Sequence, residues 1–80
     1  MQIESKLTDK EWVSLTKIMV EYVNGGLRLG QSYMNALALV RMDLYDEIIA
    51  TDCDPFYVDI KIIKFINYLN NQIELKKPLN

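Results

Sequence analysis

Thr8-Asp9-Lys10-Glu11-Trp12-Val13-Ser14-Leu15-Thr16-Lys17-Ile18-Met19-Val20-Glu21-Tyr22-Val23-Asn24-Gly25-Gly26 is the stretch that decides the fold. Thr8 and Glu11 have the spacing of a capping box, in which the threonine hydroxyl accepts from the Glu11 backbone and the glutamate reaches back. Trp12, Leu15, Ile18, Met19, Tyr22 and Val23 follow at helical steps and share one face. Leu7 holds the staple position before the cap, opposite Trp12. Gly25-Gly26 supplies a residue that accepts the left-handed conformation closing a helix. Together these signals predict a helix over 9–24.

Working outward, Leu27-Arg28-Leu29-Gly30 reads as a connector or as the first turn of the next helix. No Pro or Gly occurs from 31 to 54. Tyr33, Met34, Leu37 and Ala38, then Leu44, Tyr45, Ile48 and Ile49, have helical spacing, but Arg41 falls on the same face. The reading is a helix over 30–41 and a second piece, capped by Asp43, running to Ala50. One long kinked helix is the alternative. Thr51-Asp52-Cys53-Asp54-Pro55 is a break, with Asp54 as N-cap and Pro55 at the first helical position. Val58, Ile62, Phe65, Ile66, Leu69 and Ile73 then predict a last helix over 55–73, although the β-branched content would also suit a strand.

The fold class expected is all-α: a small bundle of three main helices, with a fourth short one if the second breaks near Met42. It is one domain over 1–80, with 1–7 as an arm and 75–80 as a polar tail. The expected core is Trp12, Leu15, Ile18, Met19, Val23, Met34, Leu37, Ala38, Tyr45, Ile48, Ile49, Val58, Ile62, Phe65, Ile66 and Leu69.

Composition narrows the chemistry. Nine basic and eleven acidic residues give a net charge of −2, with no histidine and one cysteine. These counts remove a disulfide framework, a His-ligated metal and His-based catalysis within one chain, and weigh against direct nucleic-acid binding. No run approaches the ~20 apolar residues that span a bilayer, and charges from Glu4 to Glu11 interrupt any signal peptide. The free thiol of Cys53 suits a reducing cytoplasm. A chain this short buries only about 60–65% of its unfolded surface, yet half of its residues are hydrophobic. Either the core is dense or apolar surface is covered by a partner, a second copy in a homodimer included.

Asp43, Asp46, Glu47, Asp52, Asp54 and Asp59 concentrate more than half of the acids in one segment, and no Lys or Arg lies between Arg41 and Lys61. The segment is a solvated face of capping acids, an acidic docking surface for a basic partner, or a metal loop. The last lacks the third oxygen ligand, the glycine and the distal glutamate of a calcium hand. Phe56 and Tyr57 beside it are either interface anchors or packing under the 51–55 turn. Arg28, Gln31 and Asn35 form a second polar group. It is a contact patch for a partner or nucleotide, or Gly30 serves close approach while Gln31 and Asn35 satisfy the Gly25–Gly26 turn. Cys53 lies between aspartates, which disfavour a reactive thiolate. No cofactor motif is present: the glycines lack the Lys-Ser/Thr of a phosphate loop. Neither cofactor, metal nor enzyme activity is expected.

Two stretches carry a resemblance. Leu27-Arg28-Leu29-Gly30-Gln31-Ser32-Tyr33-Met34-Asn35-Ala36-Leu37, and Asp43-Leu44-Tyr45-Asp46-Glu47-Ile48 with Asp54-Pro55-Phe56-Tyr57, resemble a group of short, uncharacterised bacteriophage and prophage proteins. Those share an Arg-x-Gly-Gln-x-x-x-Asn core and a downstream Asp-Pro-Phe-Tyr-like segment. The resemblance spans roughly residues 27–69 and implies a small helical accessory protein expressed in infected bacteria. The function expected is a non-enzymatic interaction protein of the host cytoplasm. It would inhibit or modulate a bacterial host protein, such as a defence or transcription factor or another nucleic-acid-binding protein, through the 43–59 segment. The alternative is a small DNA-binding or regulatory helical module using Arg28, Gln31, Ser32 and Asn35. An enzyme with a carboxylate-bound metal is the third reading.

Overall fold

The computed structural model describes residues 4–73 and 75. They form four α-helices and one 3-10 turn, with no strand among the described residues: α1 (Asp9–Asn24), α2 (Leu29–Val40), α3 (Met42–Ile48), the 3-10 turn (Asp59–Lys61) and α4 (Ile62–Leu69). The all-α bundle expected from periodicity is the fold, with the fourth helix present.

α1 has the predicted bounds because its ends are written locally. The Thr8 hydroxyl accepts from Glu11 N–H at 3.1 Å, and the Glu11 carboxylate accepts from Thr8 N–H at 2.9 Å. Gly26 takes φ +103° just beyond the C-terminus. Residues 25–28 then turn the chain so that α1 packs against α2. α2 is the central element, touching α1, α3 and the 3-10 turn. Its buried Met34 and Leu37 join Leu15 and Met19 of α1, Leu44 and Ile48 of α3, and Phe65 and Leu69 of α4 in one core. The Phe65 ring is fully buried and lies 5.6 Å from that of Tyr33.

The second and third helices break at Arg41, which is extended (φ −147°, ψ 85°). Asp43 is not the cap: it lies inside the first turn of α3. Its carboxylate accepts two bonds from the Arg41 guanidinium, at 2.7 and 2.9 Å. The same guanidinium reaches Glu11 at 3.2 Å and the Lys6 carbonyl at 3.2 Å. An arginine on an otherwise apolar face thus leaves the helix to join three partners. α3 ends at Ile48, two residues before Ala50, which takes φ 64°.

The largest correction concerns 55–73, where the helix runs only over 62–69 after the 3-10 turn. Asp54 does not cap a helix beginning at Pro55. Its carboxylate accepts from Ala50 N–H at 2.8 Å and from Phe56 N–H at 2.9 Å, folding the chain into a local turn. The next carbonyls, which a helix would need as acceptors, are held elsewhere by Arg28. At the other end the Leu69 carbonyl accepts from Lys6 N–H at 2.7 Å and from the Ser5 hydroxyl at 3.1 Å. Asn71 takes φ 59°, a conformation asparagine tolerates better than most residues.

The arm expected over 1–7 is docked where it is described. Ser5 also accepts from Trp12 Nε1–H at 2.8 Å, and Leu7 is buried. Residues 1–3 lie outside the described residues, as does the 75–80 tail apart from Leu75, which packs on the core. Of the expected core, Val23, Ile49 and Val58 are exposed, and Trp12, Ile18, Ala38, Tyr45, Ile62 and Ile66 are half-buried. Leu7, Ala36, Leu44, Cys53 and Tyr68 take buried places instead. Periodicity places the faces; Ile49 and Val58 fall outside the core because α3 ends at Ile48 and 55–61 is not α-helical, and Val23 lies at the exposed C-terminal end of α1.

Gly30 is the most tightly packed of the three glycines. A Cβ built there would stand 2.0 Å from the Pro55 carbonyl oxygen, which is backbone and cannot swing aside. Gly30→Ala should cost about 2–3 kcal/mol, at the upper end of overpacking changes, or prevent folding. At Gly25 the nearest atoms would be 3.4 Å away, and φ is −82°. Gly25→Ala should therefore leave the thermal midpoint nearly unchanged. Equal midpoints for the two variants would contradict this account.

Candidate docking surface

The start of α2 and the Asp54-Pro55-Phe56-Tyr57 segment meet in space. The first turn of α2 lies against the loop 54–59. Arg28 donates to the Phe56 carbonyl at 2.6 Å, to the Tyr57 carbonyl at 3.4 Å and to Asp59 at 3.4 Å. Asp59 in turn accepts from Gly30 N–H at 3.0 Å, satisfying a donor that the start of a helix leaves unpaired. Arg28 and Asp59 are each about half exposed, so their ion pair adds little on its own. The bonds to the carbonyls and the backbone contact at Gly30 fix the loop.

The acidic segment is mostly engaged within the chain. Asp43 faces Arg41, which holds its carboxyl below the usual value of 3.8. Glu47 accepts from the Tyr68 hydroxyl. Burial first, and this bond second, push the Tyr68 phenol up to about 12. Asp52 lies 3.7 Å from Lys61 and 2.5 Å from Lys64. Asp54 and Asp59 hold backbone donors as described. Among the described residues Asp46 alone of the six acids has no partner, and it is exposed on α3.

The second predicted group does not act together. Arg28 is turned to the loop, whereas Gln31 and Asn35 are half-buried on α2 and make no side-chain hydrogen bond among the described residues. Ser32 is the polar residue that α2 buries, its hydroxyl donating to the Arg28 carbonyl at 2.8 Å. Cys53 is buried, and burial followed by the neighbouring Asp52 raises its thiol above the usual value. No group of three or more Cys, Asp or Glu among the described residues is placed to hold a metal ion. No helix among them is long and apolar enough to cross a membrane.

What the loop presents is apolar. Phe56 is half-buried against the core, and its ring meets that of Tyr57 edge-on, with centroids 4.8 Å apart. Tyr57 is 81% exposed. The two rings, with Met34, Tyr45, Ile49 and Asp54, line a cavity of about 110 Å³ between α3 and the loop. Val58, Ile60 and Ile63 continue as exposed apolar side chains through the 3-10 turn into α4. Residue type singles out Phe56 and Tyr57; of Tyr45 and Ile49, both expected in the core, Tyr45 packs against it from the rim and Ile49 is exposed. Their spacing of four gives one face without saying that the face lies at the rim.

No protein-family model matches this chain, and neither a curated protein nor a solved structure matches it.

Arg41 also sets an acid limit on stability. Glu11 is held below its usual 4.5 by the Thr8 backbone bond and then by Arg41, and Asp43 is lowered by Arg41. The folded chain therefore binds fewer protons than the unfolded one near these values. This stabilisation is complete above the ordinary pKa values and is lost as pH falls through the folded ones. Denaturant unfolding from neutral pH to about pH 3 should show that decline. Arg41→Met should reduce both the stability at neutral pH and the decline; an unchanged pH profile would contradict it.

Proposed function

We propose that this chain is a non-catalytic binding protein that occupies a bacterial host protein, such as a defence or transcription factor, and blocks it stoichiometrically in the host cytoplasm. The observation that carries the reading is the exposure of apolar side chains from the loop through the 3-10 turn into α4: Tyr57 at 81%, Ile60 at 77% and Ile63 at 65%. Water gains nothing from such a run, whereas an interface does, and an aromatic anchor is what an interface favours. The loop is fixed before any partner arrives, because Arg28 and Asp59 hold its backbone. Little ordering entropy then remains to oppose docking. The resemblance to phage proteins supports a host protein as the target.

The geometry narrows the acidic-surface reading. Asp43, Glu47, Asp52, Asp54 and Asp59 each have a partner within the chain, which leaves the apolar run as the contact and Asp46 as a flanking charge. The nucleic-acid reading has less support, because Arg28 directs its donors to two carbonyls and a carboxylate of its own loop.

Tyr57→Ala and Ile60→Asp should weaken capture of the partner from bacterial lysate by about 30-fold or more, the scale of an interface hot spot at ~2 kcal/mol. Helical content should stay unchanged. Asp46→Lys should weaken capture at low salt and less at high salt. Capture of the same protein by all three variants at wild-type strength would refute the proposal.

A further inference from the structure

We infer that the cavity between α3 and the 54–57 loop receives an arginine side chain of the protein partner. The inference rests on the docking reading above and names the chemistry of its central contact. At about 110 Å³ the cavity admits one side chain; small-molecule sites are larger, at ~300–1,000 Å³. Three of its six lining residues are aromatic (Tyr45, Phe56 and Tyr57), two are aliphatic in character (Met34 and Ile49), and the sixth is Asp54. Aromatic walls attract a cation through the ring quadrupole.

Charge complementarity decides which side chain fits. Each oxygen of the Asp54 carboxylate accepts one backbone N–H, from Phe56 and from Ala50. A carboxylate oxygen has a second acceptor position, so both oxygens retain capacity for a donor. No lysine or arginine lines the cavity. Arg28 is bonded to the loop carbonyls, Arg41 to Glu11 and Asp43, and Lys61 and Lys64 face Asp52. Asp46 adds a second negative charge on α3, one residue from Tyr45 and three from Ile49. The cavity thus has aromatic walls and a carboxylate but no cation. A guanidinium stacks on aromatic rings and forks onto a carboxylate, while its alkyl stem covers Met34 and Ile49. An ammonium is more strongly hydrated and matches neither geometry as well. A purely apolar side chain would leave the carboxylate facing hydrocarbon.

The test is an NMR titration of the isotopically labelled full chain with N-acetyl-arginine amide, beside its lysine, citrulline and norleucine counterparts at matched ionic strength. Saturable shifts confined to Tyr45, Ile49, Ala50, Asp54, Phe56 and Tyr57 are expected with arginine. Binding of citrulline and norleucine should be at least tenfold weaker, and that of lysine several-fold weaker. Tyr57→Ala should abolish the arginine shifts while the rest of the spectrum is preserved, and Asp46→Asn should weaken them a few-fold. Norleucine or lysine binding as tightly as arginine would overturn the inference, as would the absence of localised shifts with arginine. If those shifts are absent while Tyr57→Ala still loses the lysate partner, the docking reading stands and the arginine assignment alone fails.

Discussion

Backbone meets backbone where Gly30 lies under the Pro55 carbonyl, and no residue with a Cβ fits between them. Everything around that contact is arranged to keep it closed. Asp59 accepts the Gly30 N–H from one side, and Arg28 reaches across to the carbonyls of Phe56 and Tyr57 from the other. The first turn of α2 and a loop some 25 residues downstream in sequence are thereby made into one rigid unit. Each bond is partly exposed and modest by itself. Their geometric agreement on one short loop is what excludes the helix that the local sequence would otherwise favour.

A second arginine does comparable work at the opposite end of α2. Arg41 interrupts the helical run and gathers Asp43, Glu11 and the Lys6 carbonyl. It thereby couples the α2–α3 break to the cap of α1 and to the segment that pairs with Leu69. Both arginines act as crosslinks between main chain and acids. Between them they engage Asp43 and Asp59 of the acidic segment, while Glu47, Asp52 and Asp54 are held by Tyr68, by two lysines and by backbone N–H groups.

Legibility from sequence followed the range of the interactions. α1 could be read to the residue, because capping box, staple and terminal glycines all lie within or next to it. The break near Met42 is visible as an arginine on an apolar face, but the cap expected at Asp43 lies at Arg41. Periodicity predicts helix through 55–61 because the 3.6 spacing continues into a real helix at Ile62. The groups that unwind it, Arg28 and Gly30, lie far away in sequence. Residue type and neighbourhood single out Phe56 and Tyr57 as anchors or as packing under the turn, and the structure half-buries the first and exposes the second. The cavity beside them is not singled out, because it needs α3 and the loop at a known distance.

The loop is gripped through main-chain atoms: Arg28 bonds the carbonyls of residues 56 and 57 and not their side chains, Asp54 accepts backbone N–H groups, and Asp59 accepts from Gly30 N–H as well as from Arg28. Shape and identity are therefore inherited separately at this surface. Substitution at 57, 60 or 63 alters what is displayed while the bonds that hold the loop stay in place. The loop behaves as a fixed mount with exchangeable tips.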